Sequence, residues 1–219
     1  MDTAGAFAVR DAVEGALFEC RISLLGDSGV GKTSLARSFV QLPWNDNLRT
    51  SIGMDILTRR IVNDDGVNVV YYVSDTAGQE RFRAMLPSQV RNSDAAVIVY
   101  DVTCAKSFEN VRKWLHFVMN NMSIHTPVMM VGNKADLYHQ REVTFSEGLE
   151  VAERSNLLFV ETSAKTGDRV VAVFKQLSTV LRDRRMNDLF RGEQRPLREL
   201  GMQLSNSADE YPSKKSCCL

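Results

Sequence analysis

An α/β fold, built on a six-stranded and mostly parallel sheet with helices on both faces and one antiparallel edge strand, is what this 219-residue sequence predicts. Three observations lead there. From about residue 18 to about 182, short runs rich in valine and isoleucine alternate with longer amphipathic stretches, the rhythm of parallel strands joined by crossover helices. A glycine-rich string, "GDSGVGKT" at 26–33, lies between a predicted strand and a predicted helix. A single hairpin signal, Asp65-Gly66, interrupts the alternation and sets one strand antiparallel.

The elements follow in order. "FECRISLL" (18–25) is a strand that runs straight into the glycine-rich string, and "GKTSLARSFV" (31–40) is the helix after it. "ILTRRIV" (56–62) and "VNVVYYVS" (67–74) are two strands joined through "VNDDGVN" as an edge hairpin. "RFRAMLPSQVRN" (81–92) is a helix, and "AAVIVYDV" (95–102) is a strand. Its apolar part, "AAVIVY", lies between Asp94 and Asp101, far short of the roughly 20 residues that span a bilayer, so it reads as buried. "KSFENVRKWLHFVMNN" (106–121) is one helix, "PVMMVGN" (127–133) a strand, "SEGLEVAERS" (146–155) a helix, "LLFVET" (157–162) a strand and "DRVVAVFKQLSTVLRD" (168–183) the last helix. Beyond 182 the periodicity stops, and two prolines with scattered charge mark residues 183–219 as a flexible tail; residues 1–17 form an N-terminal extension.

Lysine plus arginine equals aspartate plus glutamate at 27 each, so there is no general attraction to nucleic acid and any anion site must be local. The N-terminus carries Asp2, Asp11 and Glu14 where a secretory signal would place basic residues and an unbroken apolar stretch, which points to the cytosol. Cys20 and Cys104 are expected to be buried small hydrophobes, because their spacing suits neither a zinc site nor a disulfide framework.

The string at 26–33 fits GxxxxGK[ST] through Gly26, Gly31, Lys32 and Thr33. Its glycines allow the backbone N–H groups of Asp27, Ser28, Gly29, Val30 and Gly31 to turn toward phosphate oxygens, and the helix beginning near Lys32, Thr33 and Ser34 adds the positive end of its dipole. Lys32 supplies a full charge, and the Thr33 hydroxyl suits a magnesium ion that keeps most of its water. The loop alone selects no base. Selection is expected from "NKAD" at 133–136, at the end of a strand, where open α/β sheets bind ligands. Asp136 can accept from both the ring N–H and the exocyclic amine of guanine, a donor pair adenine lacks. Asn133 supports the base or ties this loop to the phosphate loop, and the stem of Lys134 covers one ring face. In "ETSAKTG" (161–167), Ser163, Ala164 and Lys165 close the pocket, the Ala164 N–H meeting the guanine carbonyl. "DTAGQE" (75–80) offers Asp75 to a magnesium-bound water, the Gly78 N–H to a terminal phosphate and Gln79 to an attacking water.

With these motifs in this order, residues 18–182 resemble the Ras superfamily of small GTPases. "GDSGVGKTSL", "DTAGQERFRAM", "VYDVT", "WL", "VGNKADL" and "FVETSAKTG" look like its Rab branch, and "MLPSQVRNS" with "SIGMDILTRR" is most similar to the Golgi-associated subgroup. The resemblance implies a P-loop GTPase fold, a GTP/GDP switch in vesicle trafficking, magnesium as cofactor, and action as a monomer. It also implies an exchange factor, a GTPase-activating protein, escort and GDP-dissociation-inhibitor proteins, and effectors as partners. It places Ser51, 18 residues after Thr33, where the family has a threonine that senses magnesium and the γ-phosphate, and Trp44 where an aromatic leans on the base and sugar. Leu48 replaces the usual switch tyrosine, while Ile56, Ser74 and Gln89 stand where the Rab branch shows three aromatics to effectors. These departures motivate an alternative: a guanine-nucleotide-binding module that scarcely hydrolyses and has atypical effectors. A second rival, an ATP-dependent P-loop enzyme, is opposed by "NKAD" and "SAK".

The ending "KKSCCL" is no CaaX box, since Ser216 is fourth from the end. It resembles double-cysteine endings on which both Cys217 and Cys218 receive geranylgeranyl groups, and two lipid chains anchor firmly where one is marginal. The expected location is the cytoplasmic face of intracellular membranes, in the Golgi region, cycling with the cytosol.

Overall fold

The computed structural model describes residues 17–45, 54–76 and 86–190. The chain divides into two units at Arg184 and Arg185. Six strands, β1 (Leu17–Leu25), β2 (Met54–Val62), β3 (Asn68–Thr76), β4 (Ala95–Asp101), β5 (Val128–Asn133) and β6 (Leu158–Glu161), form one sheet in the order β2-β3-β1-β4-β5-β6. Every neighbouring pair is parallel except β2 with β3, which are antiparallel at the edge. Gly66, at φ 80°, turns that hairpin, its N–H donating to the Asn63 carbonyl. The predicted edge hairpin and the α/β class are both found.

The helices are α1 (Lys32–Phe39), α2 (Leu86–Val90), α3 (Ala105–Glu109), α4 (Val111–Asn121), α5 (Phe145–Arg154) and α6 (Val170–Phe190). They pack on both faces because the central strands alternate side chains between two cores. Ala95, Val97 and Val99 of β4 join Leu35 and Phe39 of α1 and Phe174 and Leu177 of α6 in one. Ala96, Ile98 and Tyr100 join Val90 of α2, Trp114 and Val118 of α4 and Ala152 of α5 in the other. All seven residues of β4 are buried, as a strand covered on both sides must be. No described helix is long and apolar enough to cross a membrane.

Four expectations need correction. The helix expected over 106–121 is interrupted at Asn110, which separates α3 from α4 while its carbonyl accepts from both Lys113 and Trp114 N–H. The helix expected from 146 starts at Phe145, because Thr144 caps it: the Thr144 hydroxyl accepts from the Glu147 N–H, and the Glu147 carboxylate accepts from the Thr144 N–H. The last helix does not stop near 182 but continues to Phe190. Cys104 is only half-buried, since it sits at the N-cap of α3 rather than in a core; Cys20 is buried as expected.

The sheet order places the site. The chain leaves β1 for β2 and β3 on one side, then crosses to β4, β5 and β6 on the other, so the strand order reverses at β1, and the loop after β1 lies at that reversal.

Candidate functional site

The loop 26–31 is held open by two glycines that no other residue replaces. At Gly26, with φ 142°, a Cβ would stand 2.2 Å from the Val99 carbonyl oxygen. At Gly31, with φ 94°, it would stand 2.3 Å from Asn133 Nδ2. Both positions therefore demand a left-handed or otherwise L-unfavourable backbone and an absent side chain. Gly31 is also the N-cap of α1, and no side chain caps that terminus, so the positive end of the helix dipole faces the loop, a setting that suits an anion.

Lys32 is 5 % exposed. Its Nζ donates to the carbonyls of Gly26 at 2.9 Å and Asp27 at 2.7 Å. Burial pushes its ammonium down to about 8 from the usual 10.5, against the carboxylates of Asp75 and Asp27, which pull it up. A cation desolvated this far gains most from a multiply charged anion brought beside it. Thr33 and Asp75 come from α1 and the end of β3, and the Thr33 hydroxyl donates to Asp75 Oδ2 at 2.6 Å. A hydroxyl and one carboxylate side by side suit a magnesium ion otherwise coordinated by water and phosphate. Among the described residues no group of three or more His, Cys, Asp or Glu could hold a metal ion.

At the ends of β5 and β6 the two remaining loops are stitched together. Asn133, 1 % exposed, is their hub. Its Nδ2 donates to the Val30 carbonyl at 2.9 Å, and its Oδ1 accepts from the Ala164 N–H at 3.1 Å and the Thr162 hydroxyl at 3.4 Å. Of the two roles open to Asn133, the structure displays the tie to the phosphate loop. The Ala164 N–H, expected to meet a guanine carbonyl, is spent on Asn133, because a buried amide takes the acceptor within reach; a base carbonyl would have to share it. The Ala135 N–H donates to the Thr162 carbonyl, joining the loops again.

Asp136 is oriented by Ser163, whose hydroxyl donates to Asp136 Oδ1 at 2.6 Å. Lys134 has φ 67°, and its ammonium pairs with Asp101 Oδ2 at 2.5 Å, which anchors the head of the side chain. Trp44, 44 % exposed, and Lys165 line one groove with Ser34 and Ala164, a cavity of 160 Å³ beside the phosphate loop. Ser28 and Gly29 lie at the exposed tip of the loop.

The structure thus brings together Asp27, Ser28, Gly29, Val30, Gly31, Lys32, Thr33, Ser34, Trp44, Asp75, Asn133, Lys134, Asp136, Ser163, Ala164 and Lys165. Ser51, Gly78, Gln79, Leu48, Cys217 and Cys218 lie outside the described residues. Sequence reasoning missed Asp101 as the partner of Lys134, and Asn110 and Trp114 as donors to the Asp27 carboxylate. A lone aspartate at a strand end, or an asparagine inside an apparently continuous helix, gives no local signal.

Fold and site together define a P-loop nucleotide-binding protein of the small GTPase class. The model of the Ras family matches residues 21–183, and the chain belongs to that family. It is accordingly a small GTPase that binds guanine nucleotide and acts as a switch.

Proposed function

We propose that the chain is a Rab-like GTPase of vesicle trafficking, which hydrolyses GTP to GDP and phosphate and recruits effectors to membranes while GTP is bound. The observation that supports the GTPase part of this reading is the meeting of Lys32, the Thr33–Asp75 pair and the Asn133–Asp136 loop at the carboxyl ends of the strands, where Asn133 bonds the Val30 carbonyl of the phosphate loop. Asp136 takes the two guanine donors, Lys134 and Trp44 flank the ring, and Lys32 with the loop N–H groups holds the terminal phosphates. Thr33, Ser51 and Asp75 would hold magnesium, which when bound neutralises charge developing on the phosphate oxygens. Gln79 orients a water for in-line attack on the γ-phosphorus; the bond to the bridging oxygen breaks, and GDP takes up the electron pair. Ser51 and Gly78 contact the γ-phosphate, so its departure releases both switch segments. The motifs supply no internal arginine finger, and an activating protein provides that charge.

Replacing Gln79 by Leu is expected to leave GDP binding intact and slow single-turnover hydrolysis by roughly 10²-fold, the scale of a misplaced nucleophile. Unchanged hydrolysis rejects the role of Gln79. Scarcely detectable phosphate release from the parent, with or without an activating protein, favours the non-hydrolysing module. Atypical effectors are supported by Ile56, which is exposed, and Ser74, which lies directly opposite it across the β2–β3 pair. Two small or aliphatic neighbours there offer no aromatic anchor to a partner.

Membrane attachment through geranylgeranyl groups on Cys217 and Cys218 completes the proposal, with delivery by escort and GDP-dissociation-inhibitor proteins. Imaging of a tagged chain should show its organelle signal lost in the Cys217→Ser, Cys218→Ser double variant. A membrane signal that survives both substitutions overturns the anchoring.

A further inference from the structure

One side chain of the phosphate loop turns away from the pocket its backbone builds. The Asp27 carboxylate accepts from Asn110 Nδ2 at 2.6 Å and from Trp114 Nε1 at 2.9 Å, donors 83 and 87 residues along the chain. Both come from the junction of α3 and α4, where the helix is interrupted. Trp114 is buried in a core with Val111 and Val118, so its indole N–H is held in place by packing. Asn110 is the residue at the interruption, at φ −73° and ψ −11°. The same Asp27 offers its carbonyl to Lys32 Nζ, and the preceding Gly26 carbonyl takes the other bond of that ammonium.

A carboxylate in a loop that grips phosphates is a repulsive neighbour unless it is kept aside. Two N–H donors aimed at an ionised acceptor make charge-assisted bonds, shorter and stronger than neutral ones. Held this way, the charge of Asp27 stays on the helix side, and the peptide that follows it keeps its carbonyl toward Lys32. We propose that Asn110 and Trp114 are positioning residues for the polyphosphate. Acting through Asp27, they preset the first peptides of the loop and the amine of Lys32, and so set how long nucleotide is retained. This rests on the nucleotide reading above.

The test uses the full chain with Asn110→Ala and Trp114→Phe, each alone and each combined with Asp27→Ala. GDP release is followed by displacement of a fluorescent GDP analogue, GMP affinity by competition, and folding by thermal midpoint. Each single substitution is expected to speed GDP release roughly tenfold, the size of one charge-assisted hydrogen bond. GMP affinity should be unchanged, since GMP lacks the outer phosphate that the preset amine serves. In the Asp27→Ala background neither substitution should have a further effect, because their route runs through that carboxylate. If Trp114→Phe lowers the midpoint, Asn110→Ala, at a half-buried position, carries the test. Unchanged GDP release in Asn110→Ala, equal weakening of GDP and GMP, or full additivity with Asp27→Ala overturns the proposal. A parent chain that retains no GDP overturns instead the reading on which it rests.

Discussion

Replacing Asp136 with Asn is expected to turn a pocket selective for guanine into one that prefers xanthine, with GDP affinity falling by about two to four orders of magnitude. The magnitude comes from two hydrogen bonds to an ionised carboxylate, about 1.5–3 kcal/mol each. The direction comes from Ser163. Its hydroxyl donates to Oδ1 at 2.6 Å and so marks which side of the side chain must remain an acceptor. In the variant the amide oxygen keeps that bond, and the amide nitrogen is left facing the base. Guanine presents a donor there, its exocyclic amine, and two donors repel. Xanthine presents a carbonyl, which accepts. Competition of xanthosine and guanosine diphosphates against a labelled nucleotide measures the ratio, and continued preference for GDP would remove Asp136 from its assigned role.

The second large effect concerns Lys32→Met, and it has opposite signs with and without nucleotide. In the unfolded chain the amine has its ordinary pKa of 10.5, whereas burial holds it at about 8 in the folded one. Between these values the unfolded state carries more protons, so stability of the nucleotide-free protein rises with pH across that window. Below pH 8 the whole penalty of the buried charge is present, about 3 kcal/mol. The methionine variant carries no such proton, and its stability should show none of that rise when denaturation is followed from pH 7.5 to pH 10. With GDP the charge is an asset, and its loss leaves the phosphates facing an apolar side chain. Affinity should fall by about 10²–10⁴-fold, the scale of a buried ion pair deprived of one partner. A variant that keeps both the pH-dependent rise and its GDP would show that Lys32 is neither the buried cation nor the phosphate ligand.

Much of the fold was legible because its signals are short-ranged. The fully apolar run of β4 between Asp94 and Asp101 announces a strand covered on both faces, and Asp65-Gly66 announces the edge hairpin. The capping pair Thr144 and Glu147, three residues apart, is an equally local signal, and it sets the start of α5 at Phe145. The end of α6 was not legible in this way. After Leu181 the buried apolar positions give way to Asp183, Arg184 and Arg185, so the periodicity breaks there, while Arg184, Arg185, Met186 and Leu189 are helix formers good enough for the helix to run on to Phe190.

The candidate site divides along the same line. By itself the sequence determined the class of protein, since the spacing of Gly26, Gly31, Lys32 and Thr33, and the placing of "NKAD" and "SAK" after strands, are properties of contiguous residues. Only the tertiary structure decided where the buried polar groups spend their hydrogen bonds: Asn133 on Val30 and Ala164, Lys134 on Asp101, and Asp27 on Asn110 and Trp114. The physical reason is that a buried donor or acceptor takes the partner that packing brings within about 3 Å. Which residue stands there depends on how helices sit against the sheet, a relation between segments far apart in the chain.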